Sequence, residues 1–203
     1  MMPQYSFART EYWNQRVSLF EKLPLNADDI VFLGNSITDG GEFAELFNNP
    51  KIKNRGISGD NISGVLERIN QVANPGPAKI FLMIGINDLA GNVTPKQLAL
   101  QYEALVEKIH KLAPDTKLYI ESILPVNDTF SRYKKVAGKN PDVVKANEYL
   151  KTIAQKYGDI YIDLWSDFVD KDGRLNKKYT NDGLHLTGDG YLLWVSKVEP
   201  FIE

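Results

Sequence analysis

The run Ile30-Val31-Phe32-Leu33, followed directly by Gly34-Asn35-Ser36, decides how this chain of 203 residues folds. Its continuous, partly β-branched apolar character is typical of a strand that is buried on both faces of a parallel sheet. Comparable runs recur at residues 51–54, 78–84, 117–123 and 159–163. Stretches of helical period lie around them, at residues 11–23, 43–47, 62–72, 95–112, 141–157 and 190–202. This alternation predicts an α/β fold, a three-layer α/β/α sandwich around a mainly parallel five-stranded sheet.

We expect the whole chain, residues 1–203, to form one domain. A chain of this length buries enough apolar surface to fold without disulfides or a metal, and no repeat or linker divides it. Residues 1–27 are predicted to contribute an N-terminal helix that packs on this domain. Large apolar side chains recur there at helical spacing, namely Trp13, Val17, Phe20 and Leu23.

Composition and charge exclude several classes of protein. The formal net charge of −2 provides no field that would recruit nucleic acid, and we interpret Lys134-Lys135 and Lys177-Lys178 as solvated surface. The absence of cysteine excludes disulfides, thiol catalysis and cysteine-ligated zinc. No apolar run approaches the ~20 residues of a membrane-spanning helix, and the first residues lack the layout of a signal peptide. We therefore expect a soluble protein of undetermined oligomeric state and compartment, periplasmic or secreted if a leader has been removed.

Ser36 follows the first predicted strand directly. At the carboxyl end of a parallel strand, its hydroxyl would face the crevice in which open α/β sheets bind ligands, and it could act as a nucleophile. A serine at the start of a helix is also a common N-cap, so this segment alone leaves both roles open.

Two further polar segments follow the second and third predicted strands. Gly59 could present a backbone N–H to an oxyanion, although an ordinary turn with Asp60 or Asn61 as a helix cap is an alternative. The side-chain amide of Asn87 could donate to the same oxyanion, although Asn-Asp also opens many turns. Because the carboxyl ends of parallel strands meet at one edge of a sheet, we expect both residues near Ser36.

Asp182 and His185 stand three residues apart, before the last predicted helix. On a helix-like turn this spacing places both side chains on one face, so the carboxylate can orient the imidazole as a base for the serine. Asp189 is an alternative carboxylate for this role. The other histidine, His110, is flanked by charged residues and is interpreted as a helix-surface residue.

Together these segments resemble the sequence blocks of the SGNH, or GDSL-like, hydrolase superfamily, in the branch of platelet-activating factor acetylhydrolase subunits and carbohydrate acetylesterases. Residues 34–37 resemble the GDSL block, with Asn35 in place of aspartate and Ile37 in place of leucine. Residues 54–61 resemble the glycine block. The G-x-N-D and D-x-x-H blocks correspond to residues 85–88 and 182–185.

This resemblance implies a flavodoxin-like fold with the strand order 2-1-3-4-5, and ester hydrolysis without a cofactor or metal. It implies a catalytic triad of Ser36, Asp182 and His185. It also implies an oxyanion hole formed by Ser36, Gly59 and Asn87. The α/β-hydrolase fold is disfavoured, because its nucleophile elbow requires glycine where Thr38 stands.

The substrate is predicted from two long loops, residues 124–140 and 167–183, which should border the site. The first loop has few exposed aliphatic residues, which favours a polar alcohol such as a sugar over a lipid tail. We expect the small-molecule substrate to be a short-chain, acetyl-type ester of such an alcohol. Lysophospholipase or thioesterase activity, and an inactive carbohydrate-binding relative, are the alternatives. The expected substrate-binding residues are Asn35, Asp60, Asn127 and Arg132.

Overall fold

The computed structural model describes residues 9–202, which form an α/β/α sandwich around a parallel five-stranded sheet. The strands lie in the spatial order β2-β1-β3-β4-β5, which confirms the predicted topology. Their bounds are Ile30–Gly34 for β1, Ile52–Gly56 for β2, Lys79–Met83 for β3, Lys117–Glu121 for β4 and Ile160–Ile162 for β5. The first part of the predicted N-terminal segment, residues 1–8, lies outside the described residues.

Five helices of eleven or more residues flank the sheet in the described part of the chain: α1 (Glu11–Glu21), α4 (Ile62–Ala73), α6 (Pro95–Leu112), α7 (Asn140–Tyr157) and α9 (Gly188–Val198). They fall where the apolar periodicity predicts them. The shorter helices are α2 (Ser36–Asp39), α3 (Phe43–Leu46), α5 (Ile86–Ala90) and α8 (Trp165–Phe168). The periodicity predicts α3 but not the other three, because four or five residues do not complete a second helical turn.

One face of the sheet carries an aromatic ladder. Phe32, Phe81 and Tyr119 are neighbours in register on β1, β3 and β4, and their rings stack with centroids 4.9 and 4.4 Å apart. Phe43 of α3 stacks on Phe32 at 4.1 Å, and Trp194 of α9 meets both rings edge-on. These contacts hold α3 and α9 against this face.

The opposite face is covered by α4, α6 and α7, which pack side by side. Successive side chains of a strand point to opposite faces, so Val31 and Leu33, fully buried on either side of Phe32, face this layer. Outside it, α1 packs against α4, and Trp13 and Phe20 form a small cluster with Ile57 in the turn after β2.

The strand register decides where the polar segments meet. Gly34, at the end of β1, pairs with Gly56 of β2 on one side and with Met83 of β3 on the other. Because the three strands run parallel and end level with one another, the turns that follow them leave the same edge of the sheet. That edge carries the segments that begin at residues 35, 57 and 84.

Candidate active site

Ser36 is the first residue of α2, and the turn from β1 into this helix determines its position. The side chain of Asn35 caps the helix by accepting a hydrogen bond of 3.0 Å from the Ile37 N–H. Gly34 makes the turn possible, because a Cβ at this position would collide with the Thr38 hydroxyl and the Met83 carbonyl oxygen. The turn leaves Ser36 half-buried at the edge of the sheet.

Two side chains that the sequence does not single out brace α2 from outside. Asn54, on β2, donates through its amide to the carbonyl oxygens of Thr38 and Gly41, each at 2.7 Å. The hydroxyl of Tyr191, on α9, donates to the Ile37 carbonyl at 2.8 Å. These bonds tie α2 and the turn that follows it to β2 and α9. The position of Ser36 therefore depends on β2 and α9 as well as on its own strand.

Ser36, His185 and Asp182 form a continuous chain of hydrogen bonds. The hydroxyl oxygen of Ser36 lies 2.9 Å from Nε2 of His185, and Nδ1 of the same ring lies 2.8 Å from Oδ2 of Asp182. This arrangement can transfer the serine proton to the imidazole while the carboxylate holds the ring and stabilises the imidazolium. The structure thus brings together residues that are 149 positions apart in the sequence.

Asp182 is held beside His185 by the turn that contains it. Its Oδ1 accepts hydrogen bonds from the backbone N–H groups of His185 at 2.8 Å and Leu184 at 2.9 Å. Partial burial opposes ionisation, but these bonds and the His185 side chain outweigh it and lower the pKa of Asp182 below its usual value. The hydroxyl of Thr180, which the sequence analysis does not single out, accepts from the Asp182 and Gly183 N–H groups and fixes the turn.

The predicted oxyanion donors border the same cleft as the triad. Gly59 has a φ of +83°, in the left-handed region that favours glycine, and it is exposed beside Ser36. Asn87, in the first turn of α5, is half-buried and lines the cleft. Its amide nitrogen donates 2.8 Å to the Asp60 carbonyl, which uses one of its two N–H groups. The second N–H is available to a ligand in the cleft.

A buried ionic network lies behind the oxyanion segments. Asp60 and Arg68 form an ion pair at 2.8 Å between side chains that are both fully buried. Trp13 of α1 donates its indole N–H to Asp60 at 3.2 Å, and Arg68 also donates to the Gly34 carbonyl at 3.2 Å. The network therefore joins the turn after β1 to the turn after β2.

Asp88, next to Asn87, connects α5 with the start of α4. Its buried carboxylate accepts from the Ile62 N–H at 3.3 Å. Burial raises the pKa of Asp88 to about 7, against the opposing effect of the hydrogen bond from Ile62. This carboxyl group is a structural neighbour of the site, because its side chain does not line the cleft.

The cleft above Ser36 has a volume of about 620 Å³ and is bordered by the loop at residues 124–140. A short 3-10 turn in this loop, Lys134–Val136, packs against α5. Tyr133 presents its ring edge-on to His185, with centroids 5.1 Å apart. The cleft is lined by Ser36, Ser58, Gly59, Asn87, Ala90, Arg132, Tyr133, Lys134, Lys135, Val136, Leu184 and His185.

Three of the four expected substrate-binding residues do not reach the cleft, which corrects that prediction. The side chain of Asn35 is buried as the cap of α2, and Asp60 is buried in its ion pair with Arg68. Asn127 is buried as well, and it joins two loops by donating to the Leu175 carbonyl at 2.8 Å. Polar residue type and position in the chain do not reveal these internal partners. Arg132 does line the cleft.

The structure adds to one further interpretation and corrects another. Lys134 and Lys135 are exposed, as the sequence predicts, and they also line the cleft that holds Ser36 and His185. His110 is half-buried and makes a contact of 3.0 Å with Asp159, and its ring stacks on Tyr157. Neither position follows from local pattern, because the neighbouring segments are remote in the sequence and meet these residues only on folding.

Within residues 9–202, no three His, Asp or Glu side chains cluster closely enough to hold a metal ion. Over the same range, no helix combines the length and apolar character that crossing a bilayer requires.

Comparison with known proteins gives a consistent match. The model of the GDSL-like Lipase/Acylhydrolase family matches residues 32–193. Human platelet-activating factor acetylhydrolase IB subunit alpha2 is 29% identical over 170 residues, which cover 80% of this chain and 71% of that protein. The N-acylneuraminate cytidylyltransferase of Escherichia coli O18:K1:H7 is 26% identical over 183 residues, which cover 88% of this chain but 41% of that protein. A solved structure described as a platelet activating factor from Streptococcus pneumoniae shares 28% identity and a TM-score of 0.87, covering 95% of this chain and 94% of that one.

Proposed function

Because the chain belongs to the GDSL-like lipase/acylhydrolase family of the SGNH superfamily, whose members hydrolyse esters, we propose that it is a serine esterase for short-chain, acetyl-type esters of a polar alcohol. One observation carries the proposal. The Ser36 hydroxyl, the His185 ring and the Asp182 carboxylate are joined by hydrogen bonds of 2.9 and 2.8 Å at the floor of an open cleft. Acyl transfer through a serine requires a nucleophile, a base that accepts its proton and an acid that orients the base.

In the proposed mechanism, His185 accepts the proton of Ser36 as the serine oxygen attacks the ester carbonyl. The tetrahedral oxyanion is stabilised by the backbone N–H groups of Ser36 and Gly59 and by the free N–H of Asn87. His185 then gives the proton to the departing alcohol, which leaves an acyl-enzyme. Water, activated by the same histidine, releases the acid and restores Ser36. The mechanism needs no cofactor.

The acyl group is proposed to be short. Ala90, in α5, and Val136, in the 3-10 turn that packs against α5, both line the cleft. A long acyl chain would need a continuous apolar channel, whereas among the described residues the aliphatic side chains that line the cleft are those of Ala90, Val136 and Leu184. The similarity to a platelet-activating factor acetylhydrolase also favours an acetyl ester.

The alcohol portion is proposed to be polar, and a carbohydrate is the preferred example. The wall formed by residues 132–135 presents a phenol hydroxyl and cationic groups rather than an aliphatic surface, which suits a hydrated alcohol better than a lipid tail. The similarity to a cytidylyltransferase of an acylated sugar is consistent with this choice.

The proposal is tested with the purified protein and p-nitrophenyl esters of acetate, butyrate and octanoate, followed by a screen of acetylated sugars. We expect kcat/KM to be highest for acetate and to fall as the chain lengthens, and we expect acetate release from at least one class of sugar. A preference for octanoate would indicate the lysophospholipase alternative instead. Hydrolysis of acyl-coenzyme A ahead of oxygen esters would indicate a thioesterase.

A matched pair of serine variants separates catalysis at Ser36 from hydrolysis by other groups. Ser36→Ala should abolish turnover, and Ser18→Ala, which removes an exposed hydroxyl on α1, should leave it unchanged. If the wild-type protein hydrolyses none of these esters but binds oligosaccharides, the inactive carbohydrate-binding alternative replaces the proposal.

A further inference from the structure

One wall of the cleft carries an unusual concentration of positive charge. Three of the four consecutive residues from Arg132 to Lys135 are cationic, and all three line the cleft above Ser36. Their side chains are exposed, and none of them has a carboxylate partner among the ion pairs of residues 9–202. The charge of this wall is therefore not neutralised from within the described part of the protein.

This local charge is opposite to that of the whole chain. The formal net charge is −2, yet none of the described residues that line the cleft is an aspartate or a glutamate. Neighbouring cations in one short segment repel each other, and a cleft lined by charges of one sign concentrates ions of the opposite sign. The arrangement is thus suited to a negatively charged ligand.

The position of the cations relative to His185 indicates which part of an ester they would meet. In the proposed mechanism His185 protonates the departing alcohol, so the alcohol portion must lie on the His185 side of Ser36. Tyr133 presents its ring edge to His185 at 5.1 Å, and the Arg132 guanidinium lies 5.7 Å from the Tyr133 ring centroid. Lys134 and Lys135 follow Tyr133 directly, in the 3-10 turn that packs against α5, so cationic residues flank the residue whose ring meets His185.

We infer that the alcohol portion of the substrate bears an anionic group, a carboxylate or a phosphate, which binds to Arg132, Lys134 and Lys135. This inference rests on the proposed esterase function and adds the chemical class of the alcohol to it. The three cations act as specificity-determining residues for the anionic group and take no part in the proton transfer between Ser36 and His185. A guanidinium can hold either anion in bidentate fashion, and the two lysines add point charges around it.

The test compares acetyl esters that differ in the charge of the alcohol. The neutral reference is methyl 4-acetoxybenzoate, and the anionic substrates are 4-acetoxybenzoate and 4-acetoxyphenyl phosphate. Each kcat/KM is divided by the rate constant for hydroxide-catalysed hydrolysis of the same ester, which removes differences in intrinsic reactivity. We expect at least one anionic ester to be preferred over the neutral one by about tenfold or more, since exposed charge pairs are individually weak but three act together. The better anionic ester identifies a carboxylate or a phosphate as the recognised group.

The variant Arg132→Gln/Lys134→Gln/Lys135→Gln should reduce this preference to near unity. The matched control is Lys22→Gln/Lys111→Gln, which changes two exposed lysines at the carboxyl ends of α1 and α6 that do not line the cleft. The control should keep the wild-type preference. Charge reversal in Lys134→Glu/Lys135→Glu provides a second test and should make the neutral ester the better substrate. Raising the salt concentration should weaken the wild-type preference, because the Debye length is about 8–10 Å at physiological ionic strength.

The outcomes separate this inference from the proposed function. If the neutral acetyl ester is hydrolysed with dependence on Ser36, but neither anionic ester is preferred, the inference is wrong and the esterase function stands. The same conclusion follows if the triple glutamine variant keeps the preference. If the wild-type protein hydrolyses none of the three esters, the proposed function fails and the inference fails with it.

Discussion

The side-chain amide of Asn87 is held at 2.8 Å by the backbone carbonyl of Asp60, the residue that follows Gly59. Two segments that are 27 positions apart thus lock each other beside Ser36, and the amide is oriented before any substrate binds. Preorganised donors need no reorganisation during the reaction, which is why such groups lower a transition-state barrier efficiently.

Asn87→Ala should lower kcat by roughly 10²–10³ with little change in KM, because an oxyanion donor acts mainly in the transition state. Steady-state kinetics on p-nitrophenyl acetate measure both constants. Asn70→Ala, which truncates an exposed asparagine on α4, is the matched control. An increase in KM at constant kcat would make Asn87 a substrate-binding residue instead.

Ser36→Ala and His185→Ala should each remove nearly all esterase activity, because the two side chains act in one proton-transfer unit. The double variant should be no worse than either single variant, since members of such a unit are not additive. Thermal unfolding followed by circular dichroism checks that all three variants are folded. If folded Ser36→Ala keeps more than about a tenth of the wild-type rate, Ser36 is not the nucleophile.

Asp182→Asn should lower kcat by roughly 10³–10⁴, because an amide at this position neither stabilises the imidazolium nor holds the required tautomer of His185. Asp189→Asn is the control, since Asp189 is the competing carboxylate and is exposed at the start of α9. Stopped-flow or steady-state rates of the two variants distinguish the roles. Equal losses in both, or a loss in Asp189→Asn alone, would show that Asp182 is not the orienting acid.

Arg68→Met should destabilise the protein by about 3–5 kcal/mol, because it leaves the buried charge of Asp60 without its partner. Combining it with Asp60→Asn should restore part of this loss, since the unpaired charge is then removed as well. Arg174→Met breaks the exposed pair with Asp128 and should cost no more than about 1 kcal/mol. Urea unfolding gives all three values, and similar costs for the buried and the exposed pair would contradict the expected role of burial.

Glu121 should make the stability of the protein fall as the pH rises. Its side chain is fully buried, with one oxygen accepting from the Trp194 indole N–H at 2.6 Å, and burial raises the pKa of Glu121 from 4.5 to about 8. Between those values the unfolded state loses the proton while the folded state keeps it, so the unfolding free energy decreases with pH. Each unit of pKa difference corresponds to about 1.4 kcal/mol, so the total change is of the order of a few kcal/mol.

Glu121→Gln removes this titration but keeps an oxygen that can accept from Trp194. The difference in unfolding free energy between the variant and the wild type should therefore grow in favour of the variant from about pH 4.5 to about pH 8. Urea unfolding across this range measures it. A difference that does not change with pH would show that Glu121 ionises normally in the folded protein.

Local patterns in the sequence predict most of the fold. The strand β1 covers the predicted run 30–33 and extends by one residue, and β3 lies within the predicted run 78–84, since a strand that is buried on both faces is mostly apolar along its length. The strand β2 is predicted at residues 51–54 but extends to Gly56, because its pairing with Gly34 of β1 decides where it ends. Pairing between strands is a long-range property that local periodicity does not contain.

The order of the polar residues along the chain predicts which of them could meet at the candidate site, because parallel strands present their carboxyl ends at one edge. Ser36, Gly59, Asn87 and His185 all line one cleft, in agreement with this reasoning.

The tertiary structure decided which polar side chains face outward. Asp60 is buried because it pairs with Arg68, and Asn127 is buried because it donates to the Leu175 carbonyl. Lys134 and Lys135 line the cleft because their loop packs against α5. The sequence by itself determined the strands, the helices and the set of reactive residues, since these depend on neighbours along the chain. Burial and side-chain pairing depend on partners that are eight residues away for Asp60 and 48 for Asn127, and only the folded chain brings those partners into contact.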